Sequence, residues 1–112
     1  MVLAYSPEIR LQHSYIAKYY IYILRDPKTR IIFYVGQTMQ ELKTRLSGHL
    51  SDNNNSEKME AIKRILETGE KPIIEAIETI SVKCYIDKAY VSEREIFWMK
   101  HYKEIGQPIT NS

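Results

Sequence analysis

Two neighbouring segments rich in β-branched and aromatic residues restrict the fold of this chain more than any other feature. The first is Tyr19–Leu24 (Tyr-Tyr-Ile-Tyr-Ile-Leu) and the second is Ile31–Val35, and both have the composition of β-strands. The residues between them include Asp26-Pro27, a dipeptide that favours the start of a turn. The pattern predicts an antiparallel hairpin, with Gly36 at the end of its second strand.

Side chains alternate between the two faces of a strand, so the hairpin divides its residues into two sets. One face of the first strand is expected to carry Tyr20, Tyr22 and Leu24. One face of the second strand is expected to carry Ile32, Tyr34 and Gly36. Packing alone explains such a face, because tyrosine is common in strands. A phenol has a reference pKa of about 10, so a role as a base near neutral pH requires positive charge close by.

The residues after the hairpin begin with a helical pattern. Thr38-Met39-Gln40-Glu41 has the spacing of a capping box with Thr38 as the N-cap. Leucines then recur every four residues from Leu42 to Leu50, which predicts a first helix that runs to about Ser51.

The second half of the chain has the periodicity of two more helices and one strand. Ser56 is expected to cap a second helix, and Gly69 to end it. The apolar segment Ile73–Ile80 predicts a third strand, and Ala89–Glu104 predicts a third helix that ends before Gly106. The element order is therefore β-β-α-α-β-α. It predicts a small α+β domain in which helices flank a three-stranded antiparallel sheet.

The length and the cysteine content narrow the classes of protein that fit. At 112 residues the chain has room for one domain, which we expect to span residues 19–112 after an N-terminal arm of residues 1–18. No apolar run approaches the ~18 to 20 residues of a membrane span, so no membrane partner is expected. The N-terminus lacks the order of a secretory signal, and the single Cys84 cannot form an internal disulfide. A cytoplasmic, intracellular location is expected.

Basic residues are concentrated in one part of the chain, although the net charge is only +2. Residues 18–45 carry two acidic side chains and six basic ones: Lys18, Arg25, Lys28, Arg30, Lys43 and Arg45. A basic excess of this kind attracts phosphate, but most such stretches are solvated surface.

Arg45 and His49 lie four residues apart in the first predicted helix, so both project from one face, beside the leucine stripe. A cation at the rim of an apolar face is suited to hold a phosphate. The alternative is an arginine whose stem covers apolar surface and a histidine exposed to solvent.

Glu95 occupies an unusual position in the third predicted helix. An apolar stripe is defined by Val91, Trp98, Met99 and Tyr102. Glu95 falls in its middle, whereas Glu93 points to the opposite side. A buried carboxylate requires a cation, a metal or several hydrogen bonds. The alternative is a capping box over residues 92–95, which requires the helix to begin near residue 93.

Five short motifs occur in a fixed order along the chain. They are Tyr20-Ile21-Tyr22, Tyr34-Val35-Gly36 followed by Gln37-Thr38, the spacing of Leu42, Arg45 and His49, Glu95 three residues before Trp98, and Pro108-Ile109-Thr110-Asn111. In this order, and on this arrangement of elements, the chain resembles the GIY-YIG endonuclease superfamily over residues 19–111, about five-sixths of its length.

The chain differs from the family motifs at two positions, and the motifs also distinguish between the two candidate glutamates. Tyr20 replaces the first glycine of the signature, and Gln37 stands where the excision-repair nuclease branch carries a lysine. The positive charge of that lysine is therefore either absent from this chain or supplied by another residue. The spacing to Trp98 selects Glu95 over Glu93 as the family's glutamate.

The resemblance implies the GIY-YIG nuclease fold and the hydrolysis of a DNA phosphodiester with one divalent metal, Mg²⁺ (or Mn²⁺). Glu95 would hold the metal, Tyr22 would be the general base, and Arg45 would neutralise charge on the phosphate. Supporting roles would fall to three further residues: Tyr34 would orient water or phosphate, His49 would hydrogen-bond Tyr22 or help to activate it, and Asn111 would brace the site. The candidate DNA contacts are Arg25, Lys28, Arg30, Gln37, Lys43 and Arg45.

One active site cuts one strand, so cleavage of both strands would require a dimer on DNA or an attached DNA-binding domain. A monomer is expected free in solution. Two other functions fit the sequence: a nucleic-acid-binding module that has the fold but no catalysis, and a protein-interaction domain that uses exposed aromatic residues such as Phe97.

Overall fold

A computed structural model describes residues 17–82 and 87–111 of the chain. Its elements, in order, are β1 (Ala17–Arg25), β2 (Ile32–Thr38), α1 (Leu42–Leu50), α2 (Glu57–Glu67), β3 (Ile73–Val82) and α3 (Asp87–Glu104). This confirms the predicted α+β class and the order β-β-α-α-β-α. Residues 1–16 of the predicted arm, and Cys84, lie outside the described residues. None of the described helices is both long and apolar enough to cross a membrane.

The three strands form one antiparallel sheet in the order β2-β1-β3. The central strand β1 is buried on both faces: Ile21 and Ile23 pack on one face, and Tyr22 and Leu24 on the other. The sheet therefore has a hydrophobic core on each side, as a strand between two layers of helices requires.

The two cores draw on different helices. The first core includes Val91 and Met99 of α3, and the second includes Met59, Ile62 and Ile65 of α2. The leucines of α1 pack at the margin of the second core. Burial of aliphatic side chains on this scale, about 1.5–3 kcal/mol for each one fully buried, is the main force that holds the helices to the sheet.

The face predicted for the second strand is correct for Tyr34 and Gly36 and wrong for Ile32. Leu24 pairs with Tyr34, but Arg25 pairs with Ile32, so β2 has one extra residue at this point. Such a bulge reverses the alternation beyond it. Phe33 therefore lies in the second core with Tyr34, and Ile32 lies in the first core with Val35.

The predicted capping role of Thr38 is also wrong. Thr38 pairs with Tyr20 as the last residue of β2, so it is not available as a helix cap. Its Oγ1 instead accepts a hydrogen bond from the backbone N–H of Gln40 at 3.0 Å, within the turn that leads to α1. The N-cap of α1 is Glu41, which makes no side-chain capping bond.

The other predicted helix ends agree with the structure. Ser56 Oγ accepts from the backbone N–H of Met59 at 3.2 Å, which caps α2. Gly69 and Gly106 have φ values of 85° and 93°, a conformation that favours glycine and terminates α2 and α3.

Candidate active site

Tyr22 is the centre of the site, and Gly36 makes room for it. Tyr22 lies in the middle of β1, pairs with Gly36 of β2, and is fully buried. A Cβ atom on residue 36 would lie 2.5 Å from both Cζ and the hydroxyl oxygen of Tyr22. The phenol ring therefore lies directly over the glycine, and any side chain at residue 36 would displace it.

The Tyr22 hydroxyl lies between two side chains of α1. Its oxygen is 2.7 Å from Nε2 of His49 and accepts a hydrogen bond from Nε of Arg45 at 3.2 Å. The spacing of four residues places the guanidinium and the imidazole on the same side of α1. His49 is only 1% exposed, so the alternative of a solvent-exposed histidine is wrong.

Both partners in the Tyr22–His49 hydrogen bond are neutral at pH 7. Burial, with the positive charges of Lys58 and Arg45, lowers the pKa of His49 to about 4. Burial raises the pKa of Tyr22 to about 12, although the hydrogen bond from Arg45 acts in the opposite direction. Neither group ionises near neutral pH without help.

The direction of this hydrogen bond depends on the tautomer of His49. Tyr22 already accepts from Arg45, and His49 Nδ1 is buried with no hydrogen-bond partner among the described residues. If Tyr22 donates to Nε2, only Nδ1–H is left unsatisfied. If Nε2–H donates instead, the Nδ1 lone pair is unsatisfied and the Tyr22 proton turns to the neighbouring phenol of Tyr34, with which Tyr22 shares a hydrogen bond. Either arrangement leaves Nδ1 without a partner, and only the first has Tyr22 donating to the imidazole.

Tyr34 completes a cluster of three rings. Its ring centroid lies 5.3 Å from that of His49 and 6.2 Å from that of Tyr22. Burial and the negative charge of Glu95 raise the pKa of Tyr34, while Arg45 lowers it. Glu95 also raises the pKa of Tyr22. The Glu95 carboxylate is thus within electrostatic reach of both phenols.

Glu95 reaches the site from α3, on the other side of the sheet. Because α3 begins at Asp87, the alternative of a capping box over residues 92–95 is wrong. The side chain of Gln37 donates from Nε2 to Oε1 of Glu95 at 3.2 Å and to Ser92 Oγ at 3.4 Å. The ammonium of Lys88 donates to Oε1 of the same Gln37 amide.

These contacts show how a cation can be held. Within residues 17–82 and 87–111, no group of three or more His, Cys, Asp or Glu side chains is suited to hold a metal. Glu95 is the carboxylate that the sequence predicts to hold a metal, and its Oε1 accepts a hydrogen bond from Gln37. Mg²⁺ is commonly held by one or two carboxylates, with water and substrate phosphate as the remaining ligands, so this donor set fits that ion.

Asn111 braces β2 and makes no hydrogen bond to the tyrosine cluster. Its Nδ2 donates to the carbonyl of Val35 at 2.6 Å, and its Oδ1 accepts from the Val35 N–H at 3.4 Å. Thr110 N–H donates to the Phe33 carbonyl at 2.8 Å. The C-terminal residues thus occupy the free edge of β2 beside Tyr34 and Gly36.

The sheet divides the predicted DNA-contacting residues between two regions. Gln37 and Arg45 lie in the site, and Lys43 is exposed on α1. Lys28 and Arg30 are exposed in the β1–β2 turn. This turn lies before the start of β2 at Ile32, and Ile32 is five residues, or roughly 17 Å of strand, from Gln37. Arg25 is paired with Glu75 at 2.9 Å, so its charge is largely neutralised.

The structure adds two lysines that no sequence pattern indicated. Lys88 contacts Gln37, and the Lys58 ammonium lies 5.4 Å from the centroid of the Tyr34 ring. Each comes from the first turn of a helix, and its position depends on how that helix packs against the sheet. Neither contact follows from local periodicity.

A cavity of about 470 Å³ lies in another part of the molecule. The β1–β2 turn, α2 and the C-terminal residues form its walls, which include Asp26, Phe33, Glu60 and Pro108. Neither Tyr22 nor Glu95 lines it. The candidate site is therefore separate from this cavity.

A family model described as the GIY-YIG catalytic domain matches residues 18–109 of the chain. No curated protein and no solved structure matches the chain significantly. The matched range covers all six elements except the first residue of β1, Ala17. It contains five of the candidate site residues: Tyr22, Tyr34, Arg45, His49 and Glu95. On these grounds the chain belongs to the GIY-YIG catalytic-domain family.

Proposed function

We propose that this chain is a metal-dependent endonuclease that hydrolyses DNA phosphodiester bonds, one strand per active site. Membership of the family indicates a nuclease in general. The proposal of DNA hydrolysis is based mainly on the buried Tyr22 hydroxyl, which lies between the Arg45 guanidinium and His49 Nε2. A buried phenol with a proton acceptor on one side and a fixed cation on the other is suited to proton transfer.

Tyr22 is assigned as the general base, with His49 as the acceptor of its proton. A phenol of pKa about 12 is a poor base while it keeps its proton. As Tyr22 takes a proton from the attacking water, its own proton moves to Nε2 of neutral His49, 2.7 Å away. The water oxygen then bonds to phosphorus, the bond to the leaving oxygen breaks, and the leaving oxygen takes a proton from solvent.

Arg45 and Tyr34 are assigned to the substrate. Nε of Arg45 already binds Tyr22, which leaves the two terminal nitrogens of the guanidinium to bind non-bridging phosphate oxygens. Its charge is held in place before the reaction, which is the most effective form of transition-state stabilisation. Tyr34 is assigned to orient the water or the phosphate beside Tyr22.

Glu95 is assigned as the metal ligand, and Gln37 as the residue that orients it. GIY-YIG nucleases generally use a divalent metal, and one carboxylate, with water and phosphate as the other ligands, fits Mg²⁺ or Mn²⁺. When bound, such an ion polarises the phosphate and stabilises the leaving oxygen. Asn111 is assigned to brace β2, so that Tyr34 and Gly36 keep their positions.

DNA is the proposed partner, with Lys43, Lys28 and Arg30 as further backbone contacts. We assign the chain a cytoplasmic location and a monomeric state in solution. Cleavage of both strands would require two copies on DNA or an attached DNA-binding domain.

The proposed function is tested by nicking of supercoiled plasmid with Mg²⁺ or Mn²⁺, compared with EDTA. Metal-dependent nicking is expected, and Glu95→Gln is expected to lower its rate at least about a hundredfold. The matched control is Glu93→Gln, an exposed carboxylate on the same helix, which should keep the wild-type rate. Salt-sensitive DNA binding without nicking would favour the binding module, and neither binding nor nicking would favour the interaction domain.

A further inference from the structure

Lys88, in the first turn of α3, is an exposed cation beside the candidate site that the proposed reaction does not use. Its ammonium donates a hydrogen bond to Oε1 of Gln37 and lies 4.6 Å from the centroid of the Tyr19 ring. The Gln37 amide also donates to Oε1 of Glu95, at 3.2 Å. A lysine ammonium has three N–H donors, so two are left for a ligand after the hydrogen bond to Gln37.

The charge of Lys88 is not neutralised by a carboxylate among the side chains that the structure describes. Arg25, Lys58 and Arg94 are each held in an ion pair with an aspartate or a glutamate. Lys88 and Arg45 are held instead by uncharged groups, an amide and a phenol. An ammonium or a guanidinium that is held in this way keeps its charge for an anionic ligand.

The stability of α3 does not account for a lysine at this position. Lys88 is the second residue of the helix. The N-terminal end of an α-helix carries partial positive charge, so a positive side chain in the first turn is unfavourable there. A bound anion would offset this repulsion. The position of Lys88 therefore favours an anionic ligand.

Lys88 and Arg45 reach the same end of β2 from opposite faces of the sheet. Arg45 of α1 donates to the hydroxyl of Tyr22, which pairs with Gly36 of β2. Lys88 of α3 donates to Gln37, the next residue of β2. The two cations are thus anchored at adjacent positions of one strand, and a polyanion that lies across this end of β2 can contact both.

We propose that Lys88 binds a phosphate of the DNA strand that is cut, next to the phosphate that Arg45 binds. The strand then passes over the end of β2 from the side of α1 to the side of α3. The proposal rests on the proposed nuclease function, because it states how the substrate of that site lies. A contact of this kind fixes the position of the DNA and carries no information about its sequence.

The direct test is the salt dependence of DNA binding, measured by fluorescence anisotropy of a labelled duplex in EDTA. Lys88→Met should reduce the slope of log K against log[salt] by about 0.9, the contribution of one phosphate contact. Between about 50 and 200 mM salt, the ratio of wild-type to variant affinity should therefore fall about 3.5-fold. Lys88→Gln, measured in parallel, should behave in the same way, and Lys88→Arg should keep the wild-type slope.

The matched control is Lys100→Met. Lys100 is an exposed lysine of the same helix, about 18 Å along its axis from Lys88, and its loss should leave the slope unchanged. A slope that is unchanged in Lys88→Met, even with weaker binding at every salt concentration, would mean that Lys88 only supports Gln37 and would overturn the proposal. So would an equal change of slope in Lys100→Met.

The position of the phosphate is tested with neutral methylphosphonates in a duplex whose nick site has been mapped. A methylphosphonate at a phosphate next to the nick should remove the difference in affinity between the wild type and Lys88→Met. The same replacement four phosphates away should leave that difference intact. A difference that persists with either neighbouring phosphate replaced would contradict the proposed path of the strand.

The two proposals fail in different ways. If the wild type nicks DNA and Lys88→Met has the wild-type slope, only the proposal about Lys88 is wrong. If the slope depends on Lys88 but the wild type does not nick DNA with any metal, the nuclease proposal is wrong and the phosphate contact stands. If the wild type does not bind DNA, both are wrong.

Discussion

Burial changes the protonation of His49. An exposed histidine is partly charged near neutral pH, but His49 is 1% exposed and has its pKa lowered to about 4. In the unfolded chain the same imidazole has a pKa of about 6.5. Folding therefore disfavours the charged imidazole, so His49 is neutral in the native protein near pH 7.

The same difference in pKa makes the stability of the domain depend on pH. Between about pH 4 and 6.5 the unfolded state binds a proton on this histidine that the folded state does not. The free energy of unfolding should therefore rise with pH in this window, by up to ~1.4 kcal/mol per pH unit from this group. Urea unfolding at pH 4.5, 5.5 and 7 measures it. In His49→Gln this contribution should disappear, and an unchanged pH dependence in that variant would contradict the assignment.

At the level of the elements, the pairing of Tyr22 with Gly36 determines where the site lies. A Cβ on residue 36 would come within 2.5 Å of the buried phenol, whereas a Cβ on Gly48 of α1 would meet nothing closer than 3.6 Å. The two glycines thus allow a matched comparison of the same substitution.

Gly36→Ala should destabilise the domain by about 1–3 kcal/mol and lower nicking, because the Tyr22 ring must move. Gly48→Ala should be neutral or stabilising by up to about 1 kcal/mol, since alanine favours a helix interior. Thermal unfolding measures both, at roughly 4–8 °C per kcal/mol for a domain of this size. Equal melting temperatures for the two variants would mean that the ring does not lie over Gly36.

The elements themselves could be predicted from the sequence, because their signals are local. Alternation in Tyr19–Leu24, the Ser56 cap and the terminating Gly69 and Gly106 all act within a few residues. The side of the sheet on which Ile32 lies could not be predicted, since the bulge appears only when β1 and β2 are paired. Thr38 and Glu41 have the spacing of a capping box, but Thr38 pairs with Tyr20 in the sheet and does not cap the helix.

The residues of the site could be predicted only in part. Tyr22, Tyr34, Arg45 and Glu95 follow from the family motifs, and the helical spacing of Arg45 and His49 placed both on one side of α1. The contacts of Lys58 and Lys88 could not be predicted, because they join the first turns of two helices to strands far away in sequence. Such contacts depend on packing, which no local pattern encodes.

At the scale of the whole molecule, the site straddles one edge of the sheet. Tyr22, Arg45 and His49 lie on the side of the second core, while Glu95 and Gln37 lie on the side of α3. The C-terminal residues hold the edge strand between them through Asn111. The residues of the candidate site therefore meet only when both faces of the sheet are packed.

If the Tyr22 hydroxyl carries the proton in DNA hydrolysis, removing that hydroxyl slows nicking. The most direct measurement is the single-turnover rate of plasmid nicking by Tyr22→Phe at saturating Mg²⁺, with Tyr20→Phe of the same strand as the control. We expect Tyr22→Phe to nick at least about a hundredfold more slowly than the wild type, the scale on which general base catalysis acts, while DNA binding is retained. Tyr20→Phe should nick at the wild-type rate. Nicking by Tyr22→Phe within a few-fold of the wild type would contradict the claim.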